Sequence, residues 1–354
     1  MTDVSQLRQA IELPETLTPV VIFGAGSIVS DAHLPAYRAI GVPVAGIFDP
    51  DVEKARGLAS DWGTKAFATA EDAAADPSVI YDLAVPPVAI PSILRSLPDG
   101  SIALIQKPLG SDLDEASAIV KICREKNLKA AVNFQLRYAP HSLAMKDAIA
   151  RGLLGEVVDF DIWIAIDTPW HHWEFLANLP RVEILLHSIH YLDLIREVLG
   201  NPKGIHAKTM GHPSSTISNT RTSMMLDYGD QVRCNLTINH THTFGRKFQA
   251  CEFRICGTKG AAYMKLGANI DYPRGEADAL SINAGEGWQD VDLRGNWFTE
   301  GFEGRFAQVQ RFAAGLDDTL AGSVEDAWHT MALVEAAYES SAKPMHPIKE
   351  TPDA

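Results

Sequence analysis

An apolar run that stops at two glycines, Pro19-Val-Val-Ile-Phe-Gly24-Ala-Gly26-Ser-Ile-Val29, narrows the possible folds more than any other stretch of this chain. Residues 19–23 read as a strand and 28–40 as a helix, so the glycines occupy a strand-to-helix turn. The first glycine permits a tight turn. The second lets the backbone approach a pyrophosphate. The helix that follows points free N–H groups and the positive end of its dipole at the phosphates. A second apolar run, Val42-Pro-Val-Ala-Gly-Ile-Phe48, ends at Asp49. That is roughly 20 residues on, where a carboxylate accepts hydrogen bonds from an adenosine ribose. This layout predicts a dinucleotide site.

Strand and helix alternate through the first 135 residues. Strands are expected at 19–23, 43–48, 65–68, 79–84, 102–105 and 129–133, with helices at 28–40, 51–61, 71–75, 88–96 and 112–127. Repeated β-α-β units imply a doubly wound parallel sheet with helices on both faces, and ligands at the carboxyl ends of its strands. The pattern changes after Arg137. A helix at 140–151, a strand at 157–166 and a helix at 181–199 precede a strand-rich stretch from 204 to 292. That stretch reads as a mostly antiparallel sheet. Helices close the chain, the last starting at the capping-box-like Ser323-Val-Glu-Asp326. The fold class is therefore α/β followed by α+β. The expected domains are 1–135 for the dinucleotide and 136–354 for substrate and oligomer contacts, with the last helices free to pack back on the first domain.

Composition excludes several classes. A hydrophobic fraction of 46% in 354 residues is ample for two cores. A formal charge of −14 argues against nucleic acid, whose partners concentrate Lys and Arg. No apolar stretch approaches the roughly 20 residues that span a bilayer. The first residues carry acids and no apolar signal core, so a cytoplasmic protein is expected. Cys123, Cys234, Cys251 and Cys256 form no Cys-x-x-Cys pair and read as reduced, core-filling thiols.

Lys107 follows the strand at 102–105 and precedes Pro108. A lysine just beyond a parallel strand faces the ligand crevice, where its charge favours a developing alkoxide; the alternative is a solvated surface lysine. On the helix at 181–199, Ile184, Leu185, Ile189, Leu192, Ile195 and Leu199 form the expected buried stripe. His187, His190 and Asp193 follow at steps of three. A histidine there can take the proton that an alcohol loses as its hydride leaves, or can serve as a satisfied core residue. The loop Thr168-Pro-Trp170-His171-His172-Trp173 brings together indoles and imidazoles. Such rings suit sugar faces and hydroxyls, or an interface. His240 and His242 share one face of a strand. They read as pocket wall or core, with a zinc site the lesser alternative, and no metal is expected. Arg137, Arg246 and Lys247 are candidate charges for an acidic substrate or ordinary surface ions.

Taken together, these residues resemble the Gfo/Idh/MocA oxidoreductases, over nearly the whole chain. Phe23-Gly-Ala-Gly26 is similar to the family's nucleotide loop and Gln106-Lys107-Pro108 to its Glu-Lys-Pro signature. His190-Tyr-Leu-Asp193 looks like the end of its catalytic helix, and Glu335-Ala-Ala-Tyr-Glu-Ser-Ser341 like its last helix. The resemblance implies a Rossmann domain and an open α+β domain with helices on one face of its sheet. It implies NAD or NADP, polyol or sugar substrates, and a homodimer or homotetramer formed through the open sheet face. Lys107 and His190 inherit the catalytic positions. Three departures stand out: Val29 at the third glycine position, Gln106 for Glu, and Leu186 where the family places a catalytic Asp. His187 is the expected replacement, oriented by Glu183 one turn earlier.

The resulting expectation is hydride transfer between a nicotinamide and a secondary alcohol of a sugar, cyclitol or sugar acid. Lys107, His190 and His187 are the catalytic candidates. Gly24, Gly26, Ser27, Ile28, Asp49, Pro86 and Lys107 are the cofactor contacts, and Arg137, Trp170, His171 and Asp193 the substrate contacts. Asp49 favours NAD, because a carboxylate repels a 2′-phosphate, although Lys54 lies near. The alternatives are a glycosidase-type enzyme with retained NAD and a non-catalytic NAD-binding regulator.

Overall fold

Five short strands run parallel in the order β2-β1-β3-β4-β5: β1 (Val20–Phe23), β2 (Val44–Phe48), β3 (Ile80–Leu83), β4 (Ile102–Ile105) and β5 (Lys129–Val132). They belong to a computed structural model that describes residues 4–170, 174–271 and 274–349. β1 and β3 are buried at every position, as a sheet covered on both faces requires. Alternation sorts their side chains. Val20, Ile22, Ile80 and Leu104 face a core shared with α1 (Leu34–Ala39) and with Phe302 and Phe306 near the C-terminus. Val21, Phe23, Tyr81, Leu83 and Ile105 face the opposite core. Four further helices connect the strands: α2 (Val52–Trp62), α3 (Ala70–Ala73), α4 (Ile90–Ser96) and α5 (Leu113–Glu125). Asp51, Thr69 and Asp112 cap α2, α3 and α5 by accepting a backbone N–H three residues on.

Chain order reverses between β1 and β3, which are neighbours although β2 lies between them in sequence. A ligand crevice opens at such a switch point, beyond the carboxyl ends of the strands. The strand expected at 65–68 is reduced to a single parallel bridge, Ile47 to Ala66. Gly46 explains the close approach there. A Cβ on it would lie 2.4 Å from the Phe67 ring, so Phe67 packs directly on the β2 backbone.

After α6 (Pro140–Ala150) comes the second sheet, of eight strands. They are β6 (Val157–Ala165), β7 (Gly204–Met210), β8 (Arg221–Asp227), β9 (Arg233–Asn239), β10 (Ala250–Gly257), β11 (Ala261–Lys265), β12 (Ala279–Asn283) and β13 (Trp288–Asp290), ordered β13-β12-β11-β10-β6-β9-β8-β7. All pairs are antiparallel except β6 with β9. Its inner face, with Phe160, Ile162, Leu236 and Phe253, packs on α7 (Ile189–Leu199), where the Tyr191 and Phe253 rings meet at 5.5 Å. Trp163 and Met225 stand half-exposed on the outer face, and Cys256 also points outward. The other three cysteines are buried, so the core-filling expectation fails at Cys256 alone.

The two long helices expected around the glycine turn and the histidines are each split. Val29–His33 and Glu183–Ser188 are π-helical, and regular α-helix begins only at Leu34 and Ile189. The second helix is buried on most sides, whereas Leu199 is only half-buried. Finally, α8 (Glu300–Ala313) packs against α1, and α9 (Val324–Ala342) runs beside α5, α7 and β7. Ser323 caps α9 and also bridges Ala131 of β5. The C-terminal helices thus lie against both sheets. No helix among the described residues is long and apolar enough to cross a membrane.

Candidate active site

At the crevice, Gly24 adopts φ +112°, and a Cβ there would lie 2.3 Å from the Ala84 carbonyl oxygen at the end of β3. Only glycine fits that approach. A Cβ on Gly26 would meet nothing, so this glycine presents open backbone to the crevice. Asp49 organises the turn from β2. Its carboxylate accepts the Ala25 N–H at 2.8 Å and the Asp51 N–H at 2.8 Å. Val29 is fully buried in the core beneath the turn. Ser27 and Ile28 lead into the π-helix, and Pro86 lies three residues beyond β3. These residues fit a dinucleotide: a glycine turn against a neighbouring strand, an open backbone face and an acid at the second strand's end.

Lys107 stands two residues past β4, its own N–H donating to the Gln106 side chain at 3.0 Å. Its Nζ donates to the Leu186 carbonyl at 2.8 Å, reaching across to the C-terminal half of the chain. Burial lowers its pKa to about 8. Position 186 therefore contributes backbone, not a carboxylate.

His187 and His190 stand on either side of the π-to-α junction. His190 is buried, with its ring edge-on to Phe134 at 6.4 Å and Trp297 at 5.6 Å, and its Nδ1 has no hydrogen-bond partner among the described residues. His187 packs edge-on to Trp170 at 5.1 Å and lies 4.7 Å from the His240 ring. Burial holds both pKa values well below the usual histidine range. His240, Lys107 and His190 add to this at His187, and Lys107 adds to it at His190. Both rings are therefore neutral at neutral pH and keep a lone pair for a proton.

Several expected contacts fall elsewhere. Arg137 is turned to carboxylates of its own chain. It is buried and donates to both Asp193 oxygens at 2.5 and 2.6 Å, with Glu197 and Asp326 each at 2.8 Å. Asp193 is thereby engaged too, and it also accepts from Thr330 at 3.0 Å. The physical reason is desolvation: an enclosed guanidinium needs acceptors on every side, and Asp193 offers both its oxygens. Arg246 pairs with Glu276, and the Lys247 ammonium lies 5.1 Å from the Phe248 ring centre. His171 lies outside the described residues.

Glu183 makes no hydrogen bond to His187 among the described residues. The widened π-turn directs it instead to the Ser188 hydroxyl at 2.5 Å, the Thr222 hydroxyl and, at 3.4 Å, His240 Nε2. Among the described residues no group of three or more His, Cys, Asp or Glu is placed to hold a metal. His240 Nδ1 is instead 2.8 Å from the Thr168 hydroxyl. Beyond the Trp170–His240 wall lies a cavity of about 450 Å³ whose lining includes Thr168, Ser214, Ser215 and Thr241. Sequence reasoning missed Phe134 and Trp297 as walls around His190, since neither belongs to a motif.

A family model described as an oxidoreductase family with an NAD-binding Rossmann fold matches residues 18–134, and one described as a GFO/IDH/MocA C-terminal domain matches 142–263. The chain is 26% identical over 255 residues to 1,5-anhydro-D-fructose reductase of Ensifer adhaerens, covering 70% of this chain and 75% of that protein. An Agrobacterium radiobacter oxidoreductase solved with NAD+, L-tartaric acid and magnesium superposes with a TM-score of 0.77 at 22% identity, covering 92% of this chain and 97% of that one. A super-repressor mutant of Gal80p from Saccharomyces cerevisiae superposes with a TM-score of 0.79 at 16% identity, covering 92% and 96%. At these identities the structural likenesses show the fold alone. The matches to both halves, joined to a glycine turn at the β1–β3 switch point and a lysine beyond β4, place this chain in the Gfo/Idh/MocA family of NAD-binding oxidoreductases.

Proposed function

We propose that this chain transfers hydride between NAD and a secondary alcohol of a sugar, cyclitol or sugar acid. The observation that carries the reading is the meeting of Lys107 with two neutral imidazoles, His190 and His187, beside the nucleotide crevice. The nicotinamide, when bound, supplies hydride acceptance and return at C4. His190, with His187 beside it, receives the hydroxyl proton as the carbinol is oxidised and returns it in reduction. The Lys107 ammonium has three N–H donors, one of them on the Leu186 carbonyl, so it can also donate to the substrate oxygen and stabilise its developing charge.

Gly24, Gly26, Ser27, Ile28 and Pro86 would line the dinucleotide. Asp49 supports NAD over NADP, because its carboxylate would repel a 2′-phosphate, while the Lys54 ammonium stands 3.8 Å from Asp51. Trp170 would offer its face to a sugar. The sugar-derived substrate in the name of the Ensifer relative supports the substrate class, and the tartaric acid in the Agrobacterium complex supports including acids. The half-exposed Trp163 and Met225 on the outer sheet face support self-association there.

The test is a panel of polyols, sugars and sugar acids with NAD or NADP, followed by absorbance of the reduced nicotinamide. Turnover of at least one substrate with NAD is expected, and Lys107→Met should lower kcat by about 100-fold or more while NAD still binds. A protein that binds NAD and turns over nothing on the panel, or a fully active Lys107→Met, overturns the proposal.

A further inference from the structure

A base that receives a proton benefits from negative charge behind it, and Leu186 supplies none. A buried carboxylate stands nearby in its place. Glu183 is fully enclosed at the start of the π-turn, where the Val182 and Glu183 N–H groups donate to Asn219 Oδ1 at 3.0 and 3.2 Å. Two hydroxyls donate to this carboxylate, from Ser188 and Thr222, and the His240 Nε2 stands 3.4 Å from Oε1. The Thr222 hydroxyl comes from the second residue of β8 and His240 from the residue after β9, so the second sheet itself places both groups. His240 is held at Nδ1, 2.8 Å from the Thr168 hydroxyl, while its Nε2 lies 3.4 Å from Glu183 Oε1 with no hydrogen-bond partner among the described residues. Its ring then packs on His187 at 4.7 Å, and Trp170 closes the edge of both.

We propose that Glu183 and His240 form a positioning pair for the imidazole of His187, supplying from behind the charge and orientation that position 186 lacks. The pair rests on the hydride-transfer reading above. It touches no reacting atom. The Thr168 hydroxyl holds Nδ1 at 2.8 Å, the Glu183 carboxylate stands 3.4 Å behind Nε2, and the ring so placed packs on His187 at 4.7 Å. The other titratable groups around the pair are His190 from α7, Lys107 beyond β4, and Tyr191 and Tyr338 from α7 and α9. Both tyrosines feel the Glu183 charge.

The experiment uses the full chain with NAD and the best substrate of the panel. Glu183→Gln, His240→Asn, His187→Asn and the two double variants containing His187→Asn are compared by kcat, KM and the pH dependence of kcat/KM, with Lys107→Met as reference. Glu183→Gln and His240→Asn should each lower kcat roughly tenfold with little change in KM or NAD affinity, and neither should add to the loss in His187→Asn. Glu183→Gln removes the carboxylate behind His240, and the acidic limb of the profile should move with it, whereas a purely structural role would leave the limb in place. Rates and profiles like those of the parent, or losses that simply add to that of His187→Asn, overturn the pair. If Glu183→Gln does not fold by circular dichroism, His240→Asn decides alone. An inactive Lys107→Met beside unaffected Glu183→Gln and His240→Asn removes this inference and leaves the hydride-transfer reading standing. A fully active Lys107→Met removes that reading itself.

Discussion

Lys107 and Arg137 show how differently two cations in one protein are used. Lys107 has a backbone carbonyl for its partner, and burial brings its pKa to about 8. Its charge is about nine-tenths present at pH 7 and is lost as pH rises through 8. The rate of alcohol oxidation should therefore gain an alkaline limb near pH 8, read from kcat/KM against pH and absent from the residual activity of Lys107→Met. The histidines bear on stability. Their folded pKa values lie below the unfolded value, so the unfolded chain binds more protons as pH drops past about 6.5. Each group therefore adds stability above that pH and loses it below. Arg137 is bound on several sides by carboxylates. Arg137→Ala leaves Asp193 buried without its cation and should cost about 3–5 kcal/mol in denaturant unfolding. Substrate KM should stay unchanged in the fraction that folds; a raised KM with intact stability would return Arg137 to the binding site.

At the scale of elements, the glycine turn and the π-turn position the chemistry. Gly24→Ala places a Cβ 2.3 Å from a carbonyl of the neighbouring strand, at a φ that L residues rarely adopt. The turn must shift, and NAD affinity should fall at least about tenfold by titration while the second sheet keeps its circular dichroism. Gly26→Ala meets no protein atom, so any loss of NAD affinity there reports contact with the ligand itself. Much of this scale was legible in the sequence. Strand–helix alternation and the cap at Ser323 depend on neighbours within a few residues. The splitting of both helices by π-turns was not legible. Periodicity counted at 100° per residue gives an unbroken helix over 181–199, whereas packing against Asn219 and Thr222 widens the turn at Glu183–Ser188.

The whole molecule is two sheets joined through α7, α8 and α9, with Lys107 of the first half donating to the second at Leu186. A ligand that binds only this folded arrangement stabilises it by mass action, so NAD at 100 times its Kd should add about 2.7 kcal/mol. Under the proposed preference for NAD, the melting temperature should rise with NAD concentration and stay flat with NADP at equal concentration. The outer face of the eight-stranded sheet carries the other prediction at this scale. Trp163→Glu should lower the mass measured by light scattering to that of one chain, 38.6 kDa, if copies join there.

By itself, the sequence determined the order of strands and helices, the glycine turn, the acid after β2 and the lysine after β4. Each is written in neighbours along the chain, where hydrogen-bond periodicity and a residue's permitted φ act. Only the tertiary structure decided which histidine stands beside which, that Arg137 belongs to Asp193, and that Glu183 turns to His240 and not to His187. Those pairings join residues from different elements, where enclosed charges and imidazoles take the partners that packing brings within reach.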